Sequence, residues 1–170
     1  VKPDNGVGAS HTYRLENQEQ LEEFMQTKEA DVSYIMEEFV FAEVNSYDAI
    51  IDSHGNPIFE TGNVSPVSIM DIVNNEDNAI FYIVKELAGD TRQAGRATAK
   101  SFNVRSRFVH FEFFRLQKDQ EGLGRKGELV GLEVNMRPSG GFSPDMMDFA
   151  CTTDVYKMWA DMIAFDKTEM

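Results

Sequence analysis

At 170 residues, 42% of them hydrophobic, the chain carries enough apolar side chains for one packed core, complete or partial, and this excludes a disordered tail. Its 29 acidic residues against 16 basic ones give a net charge of -13, which repels nucleic-acid backbones and anionic lipid headgroups, so neither is an expected partner. The single cysteine, Cys151, excludes an internal disulfide and a Cys-based zinc cluster; with no apolar run near ~20 residues and no signal-peptide pattern, the expected compartment is the cytoplasm.

The opening Val1-Lys2-Pro3 has no initiator methionine and reads as a strand end in a chain excised from a longer one. Asp4 to Ser10 follows as a loop whose two glycines permit unusual backbone angles. Asn17 is placed to cap a helix that runs to about Lys28, with Leu21, Phe24 and Met25 at helical spacing. Ser33 to Val40 and Val44 to Asp52 are rich in β-branched and aromatic residues and read as strands. His54-Gly55-Asn56-Pro57 is a turn signal before a further strand, Ile58 to Gly62.

Residues 66 to 88 are open: a short helix fits Val67 to Val73, and the apolar stretch Ala79 to Val84 suits either type. Asp90 to Phe102 reads as a helix, and Arg107 to Leu116 and Glu128 to Arg137 as two strands joined by a polar, glycine-containing loop. Pro144 to Ala150 and Thr153 to Phe165 complete the chain as helices, the second with Val155, Trp159 and Met162 or Ile163 toward a core. Neither a repeat nor a linker divides the chain, so a single domain, 1–170, is expected.

The chemistry concentrates on the last two strands. Alternation sends Glu133, Asn135 and Arg137 to one face of their strand and Leu132, Val134 and Met136 to the core, and it groups His110 with Glu112 on the preceding one. A loop closing symmetrically at residues 122 and 123 puts Glu112 opposite Glu133. Two facing carboxylates cost roughly 0.2–1 kcal/mol unless a cation lies between them. Magnesium is held by one or two carboxylates with phosphate oxygens and water, so Glu112, Glu133 and the Asn135 carbonyl oxygen form a candidate metal set. Arg137 is then placed to meet a phosphate or carboxylate. The competing reading of the same residues is a solvated polar face of a hairpin.

Other patterns fail on context. Gly122 to Gly127 matches G-x-G-x-x-G, yet a polar run precedes it and a strand follows, whereas the dinucleotide fingerprint needs a strand before and a helix after. His110-Phe111-Glu112 matches the H-x-E of zinc deaminases, whose second half needs two cysteines. Cys151, between apolar residues, is expected to be buried and inert.

Taken in order, Val1-Lys2-Pro3-Asp4-Asn5-Gly6-Val7-Gly8-Ala9-Ser10, Glu37-Glu38-Phe39-Val40, His110-Phe111-Glu112 and Leu132-Glu133-Val134-Asn135-Met136-Arg137-Pro138-Ser139-Gly140-Gly141 resemble the ATP-grasp superfamily, nearest its carboxylate-amine ligase and carbamoyl-phosphate-synthase-like branches. The resemblance implies an α+β fold, an ATP-grasp-type antiparallel sheet flanked by helices and incomplete at its N-terminus. It implies that Lys2 contacts ATP phosphates, that the loop with Gly6, Gly8 and Ser10 closes over them, and that Glu37 receives the adenine amino group beside a hinge at Phe39 and Val40. Glu112, Glu133 and Asn135 match metal ligands for magnesium, with manganese as the alternative; Arg137 matches the arginine that steadies the transferred phosphoryl group; Gly140 and Gly141 allow close approach of substrate.

One departure stands out: Val44 occupies the place where many relatives have a ribose-binding glutamate, with Glu43 beside it. The activity implied is ATP-dependent joining of a small-molecule carboxylate to an amine, with self-association into a homo-oligomer left open. Relatives also carry an N-terminal domain and a further phosphate-contacting lysine, so the resemblance implies that this fragment alone does not catalyse. Two other functions compete with the ligase: a nucleotide-binding regulatory module, and an acidic interaction domain without nucleotide.

Overall fold

A computed structural model describes residues 1–5, 11–66 and 80–167. The fold is mixed α+β, with antiparallel sheets and, among the described residues, four helices. The loop residues Gly6, Gly8 and Ser10 and the helix expected over Val67 to Val73 lie outside the described residues. The chain forms two compact units, one containing Val1–Val40 and the other built from Phe41–Pro66 and Ile80 onward.

In the first unit, strand β1 (Lys2–Pro3) pairs antiparallel with β2 (Tyr34–Ile35). Helix α1 (Gln18–Thr27) starts where Asn17, in extended backbone, accepts a hydrogen bond from the Gln20 amide through its side chain (3.0 Å). Phe24 is the buried residue of α1, and its ring meets Tyr13 at 5.1 Å and Tyr34 edge-on at 5.2 Å between centroids. The strand expected over Ser33 to Val40 is paired only at Tyr34–Ile35; Met36 to Val40 belongs to no strand. Its partner β1 is two residues long, and a strand extends only as far as it has backbone groups to pair with.

The second unit is a five-stranded antiparallel sheet in the order β5 (Tyr82–Val84), β4 (Pro57–Ser65), β3 (Ala42–Ile51), β6 (Arg107–Leu116), β7 (Leu129–Asn135). Central β3 is buried from Val44 to Ile51 because both of its faces are occupied. One face carries Tyr47, Ala49, Ile51, Val109, Phe111 and Phe113, covered by Ala99 of helix α2 (Gly89–Ser101) with Leu87 and Val104. On the other, Ile50, Phe59 and Phe108 meet Met147 of α3 (Ser143–Cys151) and Val155 and Met162 of α4 (Val155–Phe165). Met162 and not Ile163 faces that core: Ile163 is exposed. The α3–α4 break at Thr152, in the left-handed region at φ 53°, is followed by Asp154, whose carboxylate caps α4 by accepting from the Lys157 amide.

Helix α2 approaches the sheet through Gly95, which lies against the Tyr47 ring. Tyr47 is fully buried, stacks on Phe111 at 6.0 Å and donates its hydroxyl to Glu60 (2.8 Å), which also takes two bonds from Arg96. Burial opposes the Glu60 charge, but the Arg96 and Tyr47 hydrogen bonds outweigh it and hold the carboxyl below its usual range. A Cβ on Gly95 would fall well inside contact distance of the ring, whereas at Gly89, where α2 begins, it would meet nothing. Gly95→Ala is therefore expected to destabilise the protein by about 1–3 kcal/mol, overpacking exceeding the helix-propensity gain, while Gly89→Ala is neutral or mildly stabilising. Denaturant midpoints of the two variants check this, and equal midpoints would refute the packing account.

Candidate functional site

The carboxylates singled out on β6 and β7 face each other: Glu112 is the register partner of Glu133, and His110 that of Asn135. The route to this register differs from a symmetric hairpin. Near the turn the pairs are Arg115 with Leu129 and Phe113 with Gly131, and Gln120 bridges Gly124, so the loop is centred on Gly122. A bulge then leaves Leu132 without a partner, and beyond it the register has slipped by one. Because strand side chains alternate, an unbulged β7 would put Glu133 opposite Phe111, over the apolar core; the bulge turns it to the face of Glu112. Beyond the bulge Met136 packs on the core as expected, while Val134, on an edge strand, is exposed.

This face of the sheet changes character along its length. Phe108 lies under α3 and α4, whereas the next residues on that face of β6 are His110 and Glu112, and on β3 they are Asp48 and Ser46. Asp48 is fully buried. It accepts hydrogen bonds from the Ser46 hydroxyl and from His110 Nδ1 (2.8 Å), and His110 Nε2 donates to Glu112 Oε1 (2.9 Å). Burial disfavours the charged imidazole, but the bonds to Asp48 and Glu112 and their charges prevail, raising its pKa to about 9. At neutral pH the ring is an imidazolium donating from both nitrogens.

Asp48 and Ser46 are functional candidates that the motif reading missed. The signal was present: a carboxylate in the middle of Ala42–Ile51 is buried only with a partner, and the partner is 62 residues away in the chain.

Three carboxylates, Asp48, Glu112 and Glu133, against one imidazolium leave this face with an excess of negative charge. Glu112 Oε2 and the whole Glu133 carboxylate make no hydrogen bond or ion pair among the described residues. These are hard oxygen donors, and with Asn135 on the same face they suit magnesium. Among the described residues, no group of three His, Cys, Asp or Glu side chains is arranged to hold a metal alone. A magnesium ion bound to nucleotide needs no such cage, because phosphate oxygens and water complete its octahedron.

Arg137 follows β7, exposed, with its guanidinium donating to the Pro138 carbonyl (3.0 Å). Ser139 is buried and, among the described residues, its hydroxyl has no hydrogen-bond partner. Gly141 takes φ +62°, and a Cβ at Gly140 or Gly141 would meet open space. In the first unit Lys2 Nζ pairs with Glu37 Oε2 at 2.6 Å, joining two residues expected at different ends of a nucleotide. An exposed pair of this kind is worth at most about 1 kcal/mol and opens readily to a competing ligand. Phe39 is half-buried under the Arg14 guanidinium at 4.3 Å, and Val40 is half-buried beside it.

Val44 is buried in β3, and alternation directs Glu43 to the opposite face of the sheet from Asp48 and Glu112. A groove of about 530 Å³ on the α2 side is lined by Tyr47, His54, Arg96 and Lys100 and holds none of the sequence-predicted site residues. Cys151 packs against the α3–α4 core, half-buried. Among the described residues no helix is long and apolar enough to cross a membrane.

No protein-family model matches the chain, and a search of curated proteins finds no significant match.

Proposed function

We propose that the chain is the nucleotide- and magnesium-binding part of an ATP-grasp-type ligase that activates a carboxylate as an acyl phosphate for attack by an amine. The observation that carries the reading is the pairing of Glu112 with Glu133 across β6 and β7, on a polar sheet face where Glu133 makes no ion pair among the described residues. The antiparallel α+β fold and the ordered motifs from Lys2 to Gly141 support it.

In this reading Glu112, Glu133 and Asn135 would hold magnesium, or manganese in its place, and the ion would supply charge neutralisation on the ATP phosphates. The resemblance assigns Lys2, Gly6, Gly8 and Ser10 to the phosphates, Glu37 to adenine and Phe39 and Val40 to the hinge. A substrate carboxylate oxygen attacks the γ-phosphorus and ADP leaves. The amine nitrogen then attacks the acyl carbon, the carbon–oxygen bond breaks, phosphate departs and the nitrogen loses a proton. Arg137 stabilises the charge on the transferred phosphoryl group, and the open space at Gly140 and Gly141 admits the substrate backbone or carboxylate. Both steps need positioning and neutralisation and no side-chain nucleophile.

Replacing Glu133 with alanine is the direct test, since its exposed side chain makes no hydrogen bond or ion pair among the described residues and little effect on stability is expected. Magnesium-dependent nucleotide affinity should fall at least about tenfold, in the range seen when a metal site is impaired. Unchanged affinity would remove the metal assignment.

A further inference from the structure

The hydrogen bonds reaching Glu112 do not end at His110. The Asn63 amide of β4 donates to Ser46 Oγ (2.7 Å), the Ser46 hydroxyl to Asp48 Oδ2, His110 Nδ1 to Asp48 Oδ1 (2.8 Å) and His110 Nε2 to Glu112 Oε1 (2.9 Å). The chain crosses β4, β3 and β6 and stops beside β7, and Ser46, Asp48 and His110 are each at least nine-tenths buried. A buried ion pair is a poor stabiliser compared with apolar residues of similar volume, so packing alone does not account for this one. Its terminus is the one half-buried carboxylate of the series, with Oε1 occupied and Oε2 unengaged.

We infer that His110, backed by Asp48 and Ser46, is a positioning residue that pins Oε1 of Glu112 and presents Oε2 alone to the cation. This rests on the nucleotide–magnesium reading of the site. Magnesium demands near-ideal octahedral geometry and is served by a single fixed oxygen, whereas calcium tolerates bidentate carboxylates and irregular coordination. A carboxylate held by one oxygen therefore selects for magnesium. Released from His110, it can turn both oxygens to the ion.

The test compares the protein with its H110N and H110Q variants in titrations with ADP, once with Mg2+ and once with Ca2+. The H110N amide reaches Asp48 in place of Nδ1 and leaves Glu112 free, whereas the H110Q amide extends toward the place of Nε2 and restores a donor to Glu112. Mg2+-supported affinity is expected to fall about 10–100-fold in H110N, as for other partners that orient a metal ligand. Ca2+-supported affinity falls less, and H110Q lies nearer the unmodified protein. A merely structural role would leave the Mg2+ to Ca2+ ratio unchanged.

A folded H110N that binds Mg2+ and ADP like the unmodified protein overturns this inference and leaves the nucleotide reading standing. No metal-dependent binding by the unmodified protein overturns both. Should the variants unfold, 15N-histidine spectra of the unmodified protein decide, since it has only three histidines. The His110 Nε2 resonance shifts on adding Mg2+ and ADP if the inference holds, and stays in place while ADP binds if it does not.

Discussion

Replacing Asp48 with alanine is expected to lower the stability of the sheet unit by about 3–5 kcal/mol at pH 6, because it leaves the His110 ring buried without its main counter-charge. The loss should depend on pH with a definite sign. His110 is raised from its ordinary value to about 9, so the stability it contributes is fully present below about 6.5 and is lost as pH rises through about 9. The gap between the protein and Asp48→Ala is thus widest in mild acid and narrows toward pH 9. Urea midpoints at pH 6, 7.5 and 9 measure it. A gap that stayed constant would mean that Asp48 acts through packing and not through its charge on His110. Among the described residues the ring's hydrogen-bond partners are Asp48 and Glu112, and both favour the imidazolium.

Arg137→Ala should have the opposite profile: little change in stability and a loss of turnover of about 10²–10³-fold in the full-length protein. The guanidinium is exposed and, among the described residues, donates only to the carbonyl of its own neighbour, Pro138, so no described buried group depends on it. If it acts on the transferred phosphoryl group, its interaction forms chiefly in the transition state, and removing it lowers kcat while nucleotide affinity is spared. This separates a ligase from a module that only binds nucleotide, since binding needs the carboxylates but not the arginine. Turnover that survives in the variant would refute the role given to Arg137.

The strands that build the site were legible because their alternation is strong. In Arg107–Leu116, Val109, Phe111 and Phe113 take one face and His110 and Glu112 the other, and no other register buries the aromatic side chains. Helix α1 was legible from Asn17 and from the spacing of Leu21, Phe24 and Met25, both local signals. What escaped depends on partners distant in sequence. Met36 to Val40 has strand composition yet belongs to no strand, and composition does not report which segment a strand will pair with. The bulge at Leu132 is likewise set by how β7 meets β6, so symmetric closure reached the right pair, Glu112 and Glu133, by a different route. Asp48 stood in plain view in β3, but its meaning comes from His110, which only the β3–β6 register brings beside it.

The most direct test of the account is calorimetric titration of the protein with ATP in the presence and absence of magnesium. The paired carboxylates of β6 and β7 predict saturable binding with Mg2+ that is lost or sharply weakened when EDTA removes it. Binding of equal strength in both conditions, or none in either, would contradict a magnesium–nucleotide site at Glu112 and Glu133.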